Sequence, residues 1–584
     1  MERYLCIHGH FYQPPRENPW LEAIELQDSA YPYHDWNARI NAECYAPNSV
    51  ARILDEQNFI VKLINNYANI SFNFGPTLLS WLEREAPQVY AGILTADRES
   101  QKQFSGHGSA LAQVYNHVVM PLANLRDRVT QVRWAVRDFE RRFQRAPEGM
   151  WLAETAVDLA TLEILAAHEI RFTILAPHQA ARLRRIGAPE WQELNGQHID
   201  PSRAYLHKLP SGRSIALFFY DGAGARSVAF EGALSNGGRF IEKLMNGFNE
   251  QRDWPQLMHI ATDGESYGHH HKFGEMALAY ALEQISTNQL ARLTNYGEFL
   301  EKYPPDHEVE IIEQSSWSCA HGIGRWWTDC GCNSGGKPGW SQRWRTPLRN
   351  AFDWLRDKVA DPWQEKAGTV LKDPWAARDD YIDIVLDRSV PNIEQFFTRH
   401  ATHKLDHEEL TTALKLLELQ RHALLMYTSC GWFFDDLSGI ETVQVIQYAA
   451  RALQLAQELF VESLEEQFID RLAQAHSNLA EYGDGREIYE KLVRPGEVDW
   501  GRVGAHYAIS AIFENYSAQT NIYCYRAEQK AFQTFEAGKA KLAVGQIELV
   551  SEITRESLEL GFGVLSMGDH NVSGGVRPVL GDAV

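Results

Sequence analysis

The stretch HIATDGESYGHHH, His259 to His271, ends an apolar run in two carboxylates, Asp263 and Glu265, followed at once by aromatic and imidazole groups. Carboxylates at the end of a buried strand cost free energy unless they are paired, hydrogen-bonded or needed for chemistry. A second stretch of this kind, GMWLAETAVD, lies upstream and sets Glu154 behind the apolar Met150, Trp151 and Leu152. Paired strand-end carboxylates beside aromatic rings suit cleavage of a glycosidic bond, in which one carboxyl group is ionised and the other protonated.

Such residues must be carried by regular elements. Through residue 300 short apolar runs alternate with longer helical patterns: RYLCIHGH, ISFNFGP, GMWLAE, RFTILAP, SIALFFYD and LMHIATDGE. Strands separated by helices predict parallel βα units and an α/β fold. Several runs end in polar residues, His8, His10, Asn73, Glu154, Asp221 and Asp263. The carboxyl ends of parallel strands are where such folds gather their active sites. The competing reading for each Asp or Asn is a helix cap. From about residue 345 the pattern turns helical, as in LTTALKLLELQRHALLMY and TVQVIQYAARALQLAQELF, with apolar residues at three- and four-residue steps. The Gly-rich segment GDHNVSGGVRPVLGDAV closes the sequence.

Composition narrows the function classes. At roughly 150 residues per domain, 584 residues allow several domains. A net charge of -21 repels phosphate backbones and anionic membrane surfaces, so neither nucleic acid nor a membrane is an expected partner. Aromatic residues reach 11% with 17 Trp, which suits stacking on sugar rings as well as core packing. The N-terminus MERYLCIHGHFYQPP lacks the apolar core of a signal peptide, and seven scattered cysteines argue against a disulfide framework, so a cytoplasmic location is expected.

The ordered segments HGHFYQPP, ISFNFGPTLLSWLE, YNHVVMPL, PEGMWLAE and TDGESYG resemble the motifs of glycoside hydrolase family 57 over roughly residues 3 to 300. The resemblance implies an incomplete (β/α)7 barrel and retaining action on α-glycosidic bonds, as hydrolase or glucanotransferase, on an oligo- or polysaccharide. It carries the nucleophile over to Glu154 and the general acid/base to Asp263. Downstream, the chain resembles an uncharacterised, mainly α-helical C-terminal domain (DUF3536-like) that accompanies one branch of the family. The expected domains are thus 1–300 for the catalytic barrel, 301–345 for a Trp/Cys/Gly-rich lid or connector, and 346–584 for the helical domain, a candidate surface for homo-oligomer formation.

Around the carboxylates, substrate contacts are expected from His8, His10, Gln13, Trp151, Glu265 and His269, and from Trp317, Trp326 and Trp327 of the lid. His8 and His10 alternate along a strand and so share a face. Tyr12, Tyr33 and Trp36 lie in an aromatic, Pro-rich segment that could close over a substrate. Cys330-Gly331-Cys332 lacks both the usual two-residue gap and a second matching pair, so neither a metal nor a cofactor is expected. Three histidines after Gly268, where glucan-active members often carry Trp or Pro, leave the substrate specificity open. Two further readings stand beside this one: a metal-dependent deacetylase-type enzyme with His8, His10 and Asp263 as ligands, and a non-catalytic carbohydrate-binding protein. Bound zinc would favour the former, and the presence of both carboxylates in their motifs argues against the latter.

Overall fold

A computed structural model describes residues 2–460, 463–568 and 570–579. The chain forms two compact units, and each borrows a segment from the other's part of the sequence. The first comprises residues 1–15, 26–336 and 427–433, and the second residues 16–25, 337–426 and 434–584.

The first unit is built on parallel strands: β1 (Arg3–Phe11), β2 (Ser71–Phe74), β3 (Ala112–Gln113), β4 (Met150–Trp151), β5 (Phe172–Leu175), β6 (Ser214–Phe219) and β7 (Gln256–Asp263). Strand β1 is central and buried from Tyr4 to Phe11, which is why its sequence reads as a nearly continuous apolar run. It pairs in parallel with β7, setting His10 opposite Asp263, and with β2, setting His10 opposite Asn73. From β2 the pairing passes through the Phe72/Ala110 bridge to β3, and β3 sets Gln113 opposite Trp151 of β4. The Gly149/Phe172 bridge leads to β5, which pairs in parallel with β6. The Asp221 N–H, just past β6, donates to the His259 carbonyl of β7 at 2.8 Å.

Capping explains where the intervening helices start. Asn124 caps α1 (Leu125–Phe143), Asp158 caps α2 (Leu159–Ala167) and Asp221 caps α3 (Gly222–Phe230), each accepting a backbone N–H of the first turn. Asp221 therefore fits the capping alternative, whereas the carboxyl of Asp263 caps nothing.

The described residues of the second unit between Arg345 and Ser510 are mainly helical, with α4 (Arg345–Val370), α5 (His407–Leu425), α6 (Ile440–Phe460) and α7 (Trp500–Ser510) among the longer elements. The helical reading does not extend to the rest of that unit. Gln519–Ile522, Tyr525–Ala537, Ala540–Ser551, Ser557–Ser566 and Val572–Pro578, here β8 to β12, form an antiparallel meander in chain order. Its inner face, including Ala543, Ile547, Leu549 and Leu560, joins Val503 and Tyr507 of α7 in one core. The Gly-rich end of the sequence contributes β12, while residues 569 and 580–584 lie outside the described residues. Among the described residues no helix is long and apolar enough to cross a membrane.

Candidate active site

Glu154 lies three residues past β4 in a left-handed turn, with φ of 58° at Glu154 and 50° at Thr155. Such backbone is unusual away from glycine and asparagine and needs support from its surroundings. Gln179 supplies it: its amide nitrogen donates to the Thr155 carbonyl at 2.9 Å, and its amide oxygen accepts the Thr155 hydroxyl at 2.8 Å. The turn aims the Glu154 carboxylate at the irregular segment after residue 312. There Oε2 accepts the Trp317 indole N–H at 2.9 Å and the Ser318 hydroxyl at 2.7 Å. Burial raises the Glu154 carboxyl above its ordinary value, while Ser318, Trp317 and the positive charge of Arg325 pull the other way.

Asp263 ends β7 and is the solvent-exposed residue of that strand. Its carboxyl is pushed up to about 7, first by the protein enclosing it and then by the negative charge of Glu154. Burial, and then the Asp263 carboxylate, raise the phenol of Tyr220. Tyr220, at the end of β6, also meets the edge of Trp317 at 6.4 Å between ring centres.

Buried rings pack against Trp317, and the histidines among them are held by hydrogen bonds. His8 Nε2 meets the Asn73 amide oxygen at 3.0 Å and His8 Nδ1 meets the Ser71 hydroxyl at 3.1 Å. The Asn73 amide nitrogen donates to His10 Nδ1 at 2.9 Å, so His10 carries its proton on Nε2, 3.1 Å from His117 Nε2. His117 then donates from Nδ1 to the Ser429 hydroxyl at 2.7 Å. Burial holds both His8 and His10 down to about 3, so both are neutral. Trp151 is fully buried and stacks on His8 and His10, with ring centres 4.9 and 5.1 Å away.

The structure therefore separates the expected site residues into groups. Glu154, Asp263 and Trp317 come together. His8, His10 and Trp151 form one buried group, with His10 and Trp151 against Trp317 and the histidine nitrogens hydrogen-bonded to protein partners. Glu265 is buried, accepts the Tyr12 N–H at 3.0 Å and the Tyr45 hydroxyl at 2.6 Å on Oε1, and is pushed up to about 8 by burial. It fixes the chain leaving β1. Gly264 beside it has no room for a side chain, because a Cβ there would lie 2.2 Å from the Phe11 ring. His269 is bonded to Glu43, Trp326 is fully buried, and Trp327 is exposed. Gln13 is partly exposed beyond Tyr12. Sequence reasoning passed over Ser318, Tyr220, Arg325 and His117, which only the fold brings to this place. Among the described residues no cluster of metal-ligating atoms forms around His8, His10 and Asp263.

The sequence model of glycosyl hydrolase family 57 matches residues 8–312, more than half of the chain. The chain belongs to glycosyl hydrolase family 57. A second model, for a domain of unknown function (DUF3536), matches residues 340–583. The family 57 chain is similar in structure to an exo-type maltose-forming amylase from Pyrococcus sp. ST04, with 18% identity, 81% of this chain and 83% of that chain covered, and a TM-score of 0.60. It also aligns with a branching enzyme from Thermococcus kodakaraensis (15% identity, 85% and 96% covered, TM-score 0.47). A 4-alpha-glucanotransferase from Thermococcus litoralis aligns at 12% identity, with 97% and 85% covered and a TM-score of 0.48. At these identities the likeness is one of fold, and of the three the amylase superposes closely enough to speak to it. None of the curated proteins matches the sequence.

Proposed function

We propose that this family 57 enzyme cleaves or transfers α-glucan-type chains with retention of configuration, by double displacement on an incomplete (β/α)7 barrel. The observation that carries the reading is the unequal treatment of two carboxyl groups, of which Asp263 feels the charge of Glu154: Glu154 receives two hydrogen-bond donors, and no donor among the described residues bonds Asp263. Donors favour the ionised form, and their absence beside a negative charge favours the protonated one. Glu154 is accordingly the nucleophile and Asp263 the acid.

In the first step the Glu154 carboxylate bonds to the anomeric carbon as the glycosidic C–O bond breaks, and Asp263 gives its proton to the departing oxygen. In the second, the ionised Asp263 takes a proton from water or from an acceptor hydroxyl. The oxygen so activated bonds to the anomeric carbon and releases the Glu154 carboxylate. Water leads to hydrolysis and a sugar hydroxyl to transfer. The amylase to which the chain is similar in fold supports the α-glucan substrate class.

Product analysis on maltooligosaccharides and glycogen, comparing wild type with Glu154→Gln and Asp263→Asn, tests the proposal. Each substitution is expected to cost roughly 10²- to 10⁴-fold in rate. Shortened chains would identify hydrolysis and lengthened or rearranged ones transfer. An enzyme that leaves every α-glucan intact, or that releases acetate from an acetylated sugar instead, overturns it.

A further inference from the structure

Residues 313–339 lie between the two matched sequence models, and they hold a cluster that the proposed reaction does not use. Cys319 Sγ, His321 Nδ1, Cys330 Sγ and Cys332 Sγ all lie within 4.8 Å of one another. The pair missing from the Cys330-Gly331-Cys332 motif is supplied eleven residues upstream. We propose that these four side chains bind one tetrahedral divalent cation of the zinc class.

The distances fit such an ion. With Zn–S of about 2.3 Å and Zn–N of about 2.0–2.1 Å, the edges of a tetrahedron are about 3.8 Å for S···S and about 3.6 Å for S···N. Cys319 Sγ and Cys330 Sγ are 3.9 Å apart, and Cys332 Sγ is 3.6 Å from His321 Nδ1. A disulfide requires sulfurs about 2.05 Å apart, so these cysteines are not joined, and none of the seven in the chain is in a disulfide. Three sulfurs and one imidazole nitrogen form a donor set typical of closed structural zinc sites. Gly331, at φ of 84°, provides the turn between the two closely spaced cysteines. Cys319 is buried, His321 exposed, and Cys330 and Cys332 lie between, which gives an ion a way in from solvent.

The site would have a mechanical effect. Cys319 follows directly on Trp317 and Ser318, the two donors to Glu154. An ion tying Cys319 to Cys330 and Cys332 would fix the irregular segment that orients the nucleophile. This consequence rests on the catalytic reading, but the site itself does not.

The test is metal content and cobalt binding of the full-length chain purified under reducing conditions. Wild type is expected to hold one zinc per chain and, after exchange, to bind one cobalt with intense thiolate-to-metal absorption. Cys332→Ser is expected to weaken metal affinity at least roughly tenfold. His321→Cys, which keeps four ligands, is expected to retain the metal, and thermal melting monitors folding in both variants. Absence of the thiolate band in folded wild type, metal content unchanged in Cys332→Ser, or a Cys319–Cys330 disulfide found by mass analysis overturns the proposal. Glucan activity plays no part in these readouts, so failure of the catalytic reading leaves them interpretable.

Discussion

Ser318 and Trp317 each donate to the Glu154 carboxylate oxygen and so favour its ionised form, the form that the proposed attack requires. A hydrogen bond to a charged group contributes about 1.5–3 kcal/mol where it is buried, and roughly 1.4 kcal/mol corresponds to one pH unit. Ser318→Ala should therefore raise the Glu154 carboxyl further and move the acid limb of the kcat/KM profile upward by roughly one pH unit, with KM little changed. An unmoved limb would mean that Ser318 has no part in ionising Glu154. Glu265 gives a prediction on stability. Its folded-state value of about 8 stands above its ordinary 4.5, so the native state binds the extra proton between these values. Stability is then lost as pH rises through that window, and the full penalty is in place above it. Glu265→Gln keeps an oxygen for Tyr12 and Tyr45 and cannot ionise. Its melting temperature relative to wild type is expected to rise across the window, and a pH-independent difference would contradict the assignment.

At the scale of elements, strand β1 works through its alternation, which places His8 and His10 on one side and lets Asn73 of β2 bond both. Asn73→Ala would leave two buried ring nitrogens without partners, an expected loss of roughly 2 kcal/mol or more. Urea unfolding measures it, and an unchanged midpoint would show that water or a rearranged side chain replaces the amide. That alternation was legible in the sequence, as were the strand-end positions of Glu154 and Asp263. What His8 and His10 face was not, because their partners lie on another strand, 63 and 65 residues away. Nothing local marks Ser318 as a partner of Glu154, since the contact spans 164 residues. The antiparallel meander is hidden for a different reason. AKLAVGQIELVS and SLELGFGVLS carry period-two patterning, but glycines interrupt it and it follows a long stretch of helical periodicity. In the cysteine segment the spacing Cys-x-His and Cys-x-Cys differs from the familiar two-residue gap, and only folding shows that four ligands converge.

For the whole molecule, the segments that the units borrow are as informative as the boundary between the matched models. A chain ended after Gly336 would lack residues 427–433, which belong to the first unit. Within that segment Thr428 bridges to Val118, and Ser429 accepts the His117 Nδ1–H. The truncated chain should melt below the first transition of the full-length protein, because a buried imidazole loses its acceptor at a cost of roughly 1–3 kcal/mol. Differential scanning calorimetry would show it, and an identical first transition would mean that the segment adds nothing. The reverse loan, residues 16–25 in the second unit, bears on how the protein is made. Glu22 pairs with Arg421, 399 residues later in the chain. At about 5–20 residues per second on the ribosome, roughly 20 to 80 seconds separate the appearance of the two partners. For that interval Trp20 and Leu21, both buried in the finished protein, must stay in water or in the grip of a chaperone. The second unit cannot close until nearly three quarters of the message has been translated.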